Sequence, residues 1–185
     1  MSVKRRNLQP LTEARLEELA LAYVARFATT QGKLRDYLQR KLRERGWGED
    51  EDAGSRPDLD RLIGRYVELG YVDDAGWARM KAGSLLRRGY GARRVGEALG
   101  HAGLNEDLRE EVRPDEAAER RAALILARRR RLGPFAREDA DRPTREKHIA
   151  AMLRAGHRLD IARGIVEAAD VEAAEQWVEA ASGDL

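Results

Sequence analysis

The sequence predicts an all-α protein, an elongated curved array of three tandem three-helix repeats, and three observations predict it. Ala, Leu, Arg and Glu dominate, while the β-branched runs that mark buried strands are missing. Charged residues make up 37% of the chain and aromatic residues only 5%, which suits helices that each bury one stripe and leave their other faces in water. One pattern of helix, short turn and helix also recurs along the chain.

Each element follows from apolar spacing and from the residues that start and stop helices. Leu16, Leu19, Ala20, Tyr23, Val24 and Phe27 fall at three-and-four spacing and predict a helix from Leu11 to about Ala28. Thr29 and Thr30 are suitable N-caps for a second helix to Arg45, with the stripe Leu34, Tyr37, Leu38, Leu42 and with Gly46 as its stop. Gly48 to Pro57 is acidic and carries Gly, Ser and Pro, so it reads as a linker. Leu59, Leu62, Ile63, Tyr66, Val67 and Leu69 form the next stripe, stopped at Gly70. Asp73 or Asp74 caps a helix through Trp77, Met80, Leu85 and Leu86 that stops at Gly89, because an Asp there offers an acceptor and a negative charge to the free N–H groups. Ala92 to Ala102 follows, with Val95, Ala98 and Leu99 inward. The last third gives helices at Asp115 to Arg131, Thr144 to Ala155 and Leu159 to Ala168, then a tail helix anchored by Trp177 and Val178.

The repeat is visible in the residues. Leu85-Leu86-Arg87-Arg88-Gly89-Tyr90-Gly91 through Val95 aligns with Met152-Leu153-Arg154-Ala155-Gly156-His157-Arg158 through Ala162, and more faintly with Val24 through Leu34. Leu38, Leu99 and Val166 then fall in register. The expected division is residues 1–57 with the acidic linker, 58–112, and 113–185 with the tail helix. Such units bury little alone and gain stability by packing on their neighbours.

Composition removes several classes of function. With no cysteine there is no disulfide, thiolate metal site or Cys nucleophile. His101, His148 and His157 lack the paired spacing of a zinc site. The basic start, Met1 to Arg6, runs into Asn7, Leu8, Gln9 and Pro10 instead of an apolar stretch, and no segment is long and apolar enough to span a bilayer, so a soluble cytoplasmic protein is expected; a monomer is expected as well. Gly89-Tyr90-Gly91 with Gly96 lies between two helices and lacks the strand of a dinucleotide fingerprint; Gln31-Gly32-Lys33 lacks the upstream Gly and the Ser or Thr of a phosphate loop. Asp73-Asp74 and Glu110-Glu111 sit at helix ends, where caps explain them. No catalytic group, metal ligand or cofactor is expected.

Charge is where function is expected. The net charge of +2 hides strong alternation. Arg79, Lys81, Arg87, Arg88, Arg93 and Arg94 fall in a stretch with no acid, and Arg120 to Arg131 is similarly basic, whereas Glu49 to Asp60 is acidic. The preference for Arg over Lys fits phosphate or carboxylate recognition and fits a GC-rich genome equally well. Arg87, Arg88, Arg93 and Arg94 flank one turn with Tyr90 among them, a combination suited to phosphates or an acidic protein groove. Arg128 and Arg130 stand in the second cluster, whose four consecutive arginines span about 300° of a helix and so cannot share a face.

At Glu68-Leu69-Gly70-Tyr71-Val72-Asp73-Asp74, followed by Trp77-Ala78-Arg79, the chain resembles the RecX family of regulatory proteins. Ala20-Leu21-Ala22-Tyr23-Val24, Leu34-Arg35-Asp36-Tyr37-Leu38, Arg88-Gly89-Tyr90-Gly91 and the positions of Arg94, Val95, Glu97 and Leu99 extend the resemblance across roughly Leu11 to Ala168. Thr29-Thr30-Gln31-Gly32 is a looser version of the family's first turn, and the connection from Gly133 to Pro143 is longer. The resemblance implies three tandem three-helix repeats and binding in the groove of RecA filaments. It also implies inhibition of strand exchange and the coupled ATPase, and a part in recombination, repair and the SOS response. Family members also bind DNA on their own, so single- or double-stranded DNA is a second expected partner. A rival reading, a non-specific single-stranded DNA-binding protein, predicts affinity that collapses with salt. The scarcity of aromatics near turns, only Tyr90, Trp47 and Tyr71, counts against it.

Overall fold

A computed structural model of the chain describes residues 9–48 and 57–181. Most of the predicted linker and the basic start lie outside the described residues. Among the described residues ten α-helices and no strand ladder are found: α1 (Glu13–Arg26), α2 (Gln31–Arg45), α3 (Leu59–Glu68), α4 (Asp74–Arg87), α5 (Ala92–Gly100), α6 (Glu106–Glu111), α7 (Glu116–Arg130), α8 (Arg142–Arg154), α9 (Leu159–Val166) and α10 (Val171–Ala180). The expected all-α class is what the chain adopts. It divides into two compact units, one of Met1–Trp77 with Ala102–Leu104 and one of Ala78–His101 with Asn105–Leu185.

In the first unit α1, α2 and α3 close over Leu11, Leu16, Ala20, Leu34, Leu38, Leu62, Ile63, Tyr66 and Val72. Leu11 is pinned by a short backbone pairing: its N–H donates to Gly46 O at 2.9 Å and its carbonyl accepts from Gly48 N–H at 3.0 Å. The α3 stripe is narrower than the spacing predicts. Leu62, Ile63 and Tyr66 are buried, but Val67 lies a further 100° round the helix and Leu69 lies beyond its end, 57% exposed. Gly70 then turns the chain with φ +72°, so that the Tyr71 and Val72 amides both return to Tyr66 O.

The two aspartates that follow divide their work. Asp73 caps α4, its Oδ1 accepting from Gly76 N–H at 2.8 Å, while Asp74 Oδ1 accepts from Gln31 N–H at 2.9 Å and so caps α2 as well. Thr30 is the N-cap residue of α2. Its hydroxyl accepts from Lys33 N–H at 3.2 Å and donates to Ala102 O. Gly32 permits that approach, since a Cβ there would stand 2.7 Å from Gly103 Cα.

The second unit buries Ala123, Leu126, Ala127, Leu132, Met152, Ala155, Ile161, Ala162, Ile165, Val166 and Val178. On α4 its buried residues are Ala78, Ala82 and Leu85, while Met80 is 52% exposed: the inward stripe is marked by alanines instead of the larger side chain. Pro143 is the second residue of α8 instead of ending the preceding connection, because a proline in the first turn needs no N–H partner, and Asp141 caps Thr144 N–H at 2.9 Å. Trp177 and Val178 do anchor α10. The indole stacks under the Arg120 guanidinium at 3.9 Å and fills the space that a side chain at Gly164 would occupy.

A candidate partner-binding turn

The predicted basic turn joins α4 to α5 in the second unit. Helix α4 ends in a tight reversal: Gly89 adopts φ +76°, and the Tyr90 amide returns to Leu85 O at 3.1 Å. The turn is seated on backbone. Gly91 N–H donates to Ala155 O at 3.0 Å and Arg93 N–H to Gly156 O at 3.2 Å. A Cβ at Gly91 would lie 2.3 Å from Gly156 C, and one at Gly89 would lie 2.8 Å from Leu126 N. Glycines are therefore required here for close approach, quite apart from their role as helix stops.

The partner of this turn is the equivalent turn between α8 and α9, which the internal repeat pairs with it. His157, in register with Tyr90, is buried and points its Nε2 at Gly89 O, 3.1 Å away. A carbonyl can only accept, so Nε2 carries the proton; Nδ1 is buried with no hydrogen-bond partner among the described residues. Burial lowers the pKa of this histidine, partly opposed by the bond to Gly89, and keeps it neutral. Glu119, at the start of α7, is the one buried acid among the described residues. Burial raises its pKa against the pull of Arg158, whose Nε stands 3.5 Å from Oε2.

The candidate residues separate into two groups. Arg93 and Arg94 both pair with Glu97, Arg94 at 3.3 Å, and Arg93 also donates to Leu153 O at 3.1 Å. Arg128 pairs with Glu175 on α10 and lies over Phe135 at 5.8 Å. These charges are held in place and partly neutralised. Arg87 and Arg88 are exposed and take part in no ion pair among the described residues; Arg88 stacks over Tyr90 at 5.3 Å. Tyr90 itself is half-buried against the second unit's core. Arg130 is also exposed, on the last turn of α7. Because Gly89 rests on Leu126, the two basic clusters are neighbours: Arg130 follows Leu126 by about 6 Å of helix rise. The sequence separates these clusters by some forty positions, and no local signal could have joined them.

Among the described residues no group of three or more His, Asp or Glu could hold a metal ion, and no helix is long and apolar enough to cross a membrane. The arrangement offers exposed guanidinium groups beside a turn seated on backbone bonds, chemistry complementary to an anionic surface.

No family model matches the chain. It is 31% identical over 157 residues to the regulatory protein RecX of Myxococcus xanthus, covering 82% of this chain and 84% of the relative. It is 36% identical over 112 residues to the regulatory protein RecX of Thermus thermophilus, covering 60% and 72%. The crystal structure of RecX from Lactobacillus salivarius superposes with a TM-score of 0.64 at 16% identity, covering 90% of this chain and 96% of that one, a likeness of fold.

Proposed function

Because this chain belongs to the RecX family of regulatory proteins, we propose that it is a negative regulator of RecA. In this reading it binds the RecA–DNA filament, inhibits recombinase and coupled ATPase activity, and so modulates homologous recombination and repair. It acts by binding instead of by catalysis, as a cytoplasmic monomer of three tandem repeats. The observation that carries the reading beyond the family name is the seated basic turn. Among the described residues Arg87 and Arg88 have no acidic partner and flank a turn seated on backbone bonds, and the exposed Arg93 and Arg94 follow them, paired with Glu97. Guanidinium groups carried on a seated turn present planar donors matched to carboxylates or phosphates of a filament.

The test is a titration of the protein into RecA hydrolysing ATP on single-stranded DNA. Hydrolysis falls as the protein is added. Loss at amounts well below the RecA concentration indicates blocking at filament ends, and loss only near equivalence indicates occupancy along the groove. Unchanged hydrolysis on a preformed filament contradicts the reading.

A further inference from the structure

The second unit also holds a cleft whose walls carry polar groups short of partners. It has a volume of about 370 Å³ and lies between α5, α6, the start of α7 and the turn that joins α8 to α9. Glu119 lines it and is only 4% exposed, yet its Oε2 accepts no hydrogen bond among the described residues. His157 lines it as well, with Nδ1 a buried acceptor that has no donor. Buried polar atoms are nearly always bonded, so two such atoms on one cleft call for a donor from outside the chain. The present neighbour of Glu119 is replaceable. Arg158 Nε stands 3.5 Å from Oε2, and the same half-exposed guanidinium donates to Asp160 at 3.0 Å, so it can leave Glu119 and keep a carboxylate. Helix α6 contributes no buried residue to the core, but it walls the cleft with Glu106, Arg109 and Glu110. Arg109 pairs with Glu106 at 2.6 Å and Arg113 with Glu110 at 3.1 Å, exposed pairs that water weakens. Val95 and Leu99 supply apolar wall, and a Cβ at Gly96 between them would meet nothing within 4 Å.

We propose that this cleft binds a free amino acid with an apolar side chain. The ligand's ammonium takes the place of the Arg158 guanidinium on Glu119, donating to Oε2 and to His157 Nδ1. Its carboxylate meets the guanidinium so released, and its side chain lies along Val95 and Leu99 over Gly96. Each buried acceptor then gains a charged donor, and the exchange leaves no charge unpaired. A ligand of one sign fits less well, because three glutamates and four arginines line the same small space: an anion meets the carboxylates and a cation meets the guanidinium groups. The volume is at the lower end of the range that small-molecule sites occupy. A broad protein or nucleic-acid surface cannot reach atoms as deeply covered as Glu119 Oε2 and His157 Nδ1, whereas a single ammonium group can. The inference does not rest on the RecA reading, which assigns no part to Glu119 or to α6.

The test is calorimetric titration of the full chain with L-leucine, beside 4-methylpentanoate, which lacks the ammonium, and leucinamide, which lacks the carboxylate. Leucine binds with a dissociation constant of about 1 mM or tighter, and each analogue binds at least about tenfold more weakly. Glu119→Gln keeps the shape of the side chain and removes its charge; it weakens leucine at least about tenfold without lowering the melting temperature. Gly96→Phe fills the open space over α5 and abolishes binding by a folded protein. Arg158→Ala weakens leucine until it binds no better than leucinamide, as expected of a carboxylate partner. No binding of leucine at millimolar concentration overturns the proposal, as does either analogue binding as tightly as leucine. Undiminished binding by folded Glu119→Gln or folded Gly96→Phe overturns it too, since the ligand would then lie elsewhere.

Discussion

The turn before α2 in the first unit and the turn before α5 in the second solve one problem by different means. Each brings the start of a helix against a distant glycine-bearing turn. In the first unit a side chain makes the bond: Thr30 caps α2 and donates to Ala102 O, and Gly32 gives Gly103 room. In the second the N-cap residue is Gly91, which makes no side-chain cap; main-chain bonds to Ala155 and Gly156 and the His157 ring join the turns instead. A junction built on a side chain leaves little on its outer surface. A junction built mainly on backbone leaves Arg87 and Arg88 exposed beside it with no ion pair among the described residues, while Arg93 adds a bond of its own to Leu153 O. The difference teaches that a helix start can be fixed by one side chain or by main chain, and that the second way leaves Arg87 and Arg88 out of the junction's own bonds.

The largest effect that breaks this comparison is Gly91→Ala. Its methyl would meet main-chain atoms at 2.3 Å that cannot rotate away, so a loss of about 3 kcal/mol or more is expected. Gly64→Ala, which meets nothing within 4 Å in the middle of α3, instead gains up to about 1 kcal/mol from helix propensity. Denaturant melts of the two variants check both. Next comes Thr30→Ala, expected to cost about 1 to 3 kcal/mol through a lost cap and an unpaired buried carbonyl, with Thr30→Ser recovering most of it.

The third prediction concerns pH and applies to the second junction alone. Burial lowers the pKa of His157, so between that value and the ordinary histidine value the unfolded chain binds more protons than the folded one. The stability tied to the neutral ring is therefore complete above about pH 7 and is lost as pH falls through the histidine range. Melting temperatures measured above and below that range drop further for the native chain than for His157→Gln. The smallest effect is at Glu119, whose pKa is raised because burial outweighs the attraction of Arg158. Its charge opposes folding at neutral pH, so Glu119→Gln raises the melting temperature slightly, and a lowered melting temperature would show the ion pair to be favourable.

Much of the fold was legible because it is local. Caps and stops at Thr30, Asp73, Gly70 and Gly89 act through neighbouring residues, and the apolar spacing of α9 and α10 is unambiguous. Helix α6 was not legible: six residues, Glu-Asp-Leu-Arg-Glu-Glu, bury nothing and present no stripe, and only the Asn105 cap announces them. Met80 and Leu69 read as inward residues because size outweighs position in a sequence, whereas packing favoured Ala78 and Ala82. At the candidate site the arginines could be read directly. The pairing of Arg93 and Arg94 with Glu97 is an i, i+4 and i, i+3 contact within α5 that the spacing already allows, whereas that of Arg128 with Glu175 joins α7 to α10 and could not be read. The close approach of Gly91 to Gly156 is equally a product of tertiary packing.

The claim that the basic turn contacts the partner is tested by reversing Arg87 and Arg88, which make no ion pair among the described residues, to Glu together. The measurement is inhibition of the RecA ATPase on single-stranded DNA, with thermal melting of the same preparation. A melting temperature close to the native one, together with inhibition weakened about tenfold or more, is the predicted result. Undiminished inhibition by the folded variant would contradict the account.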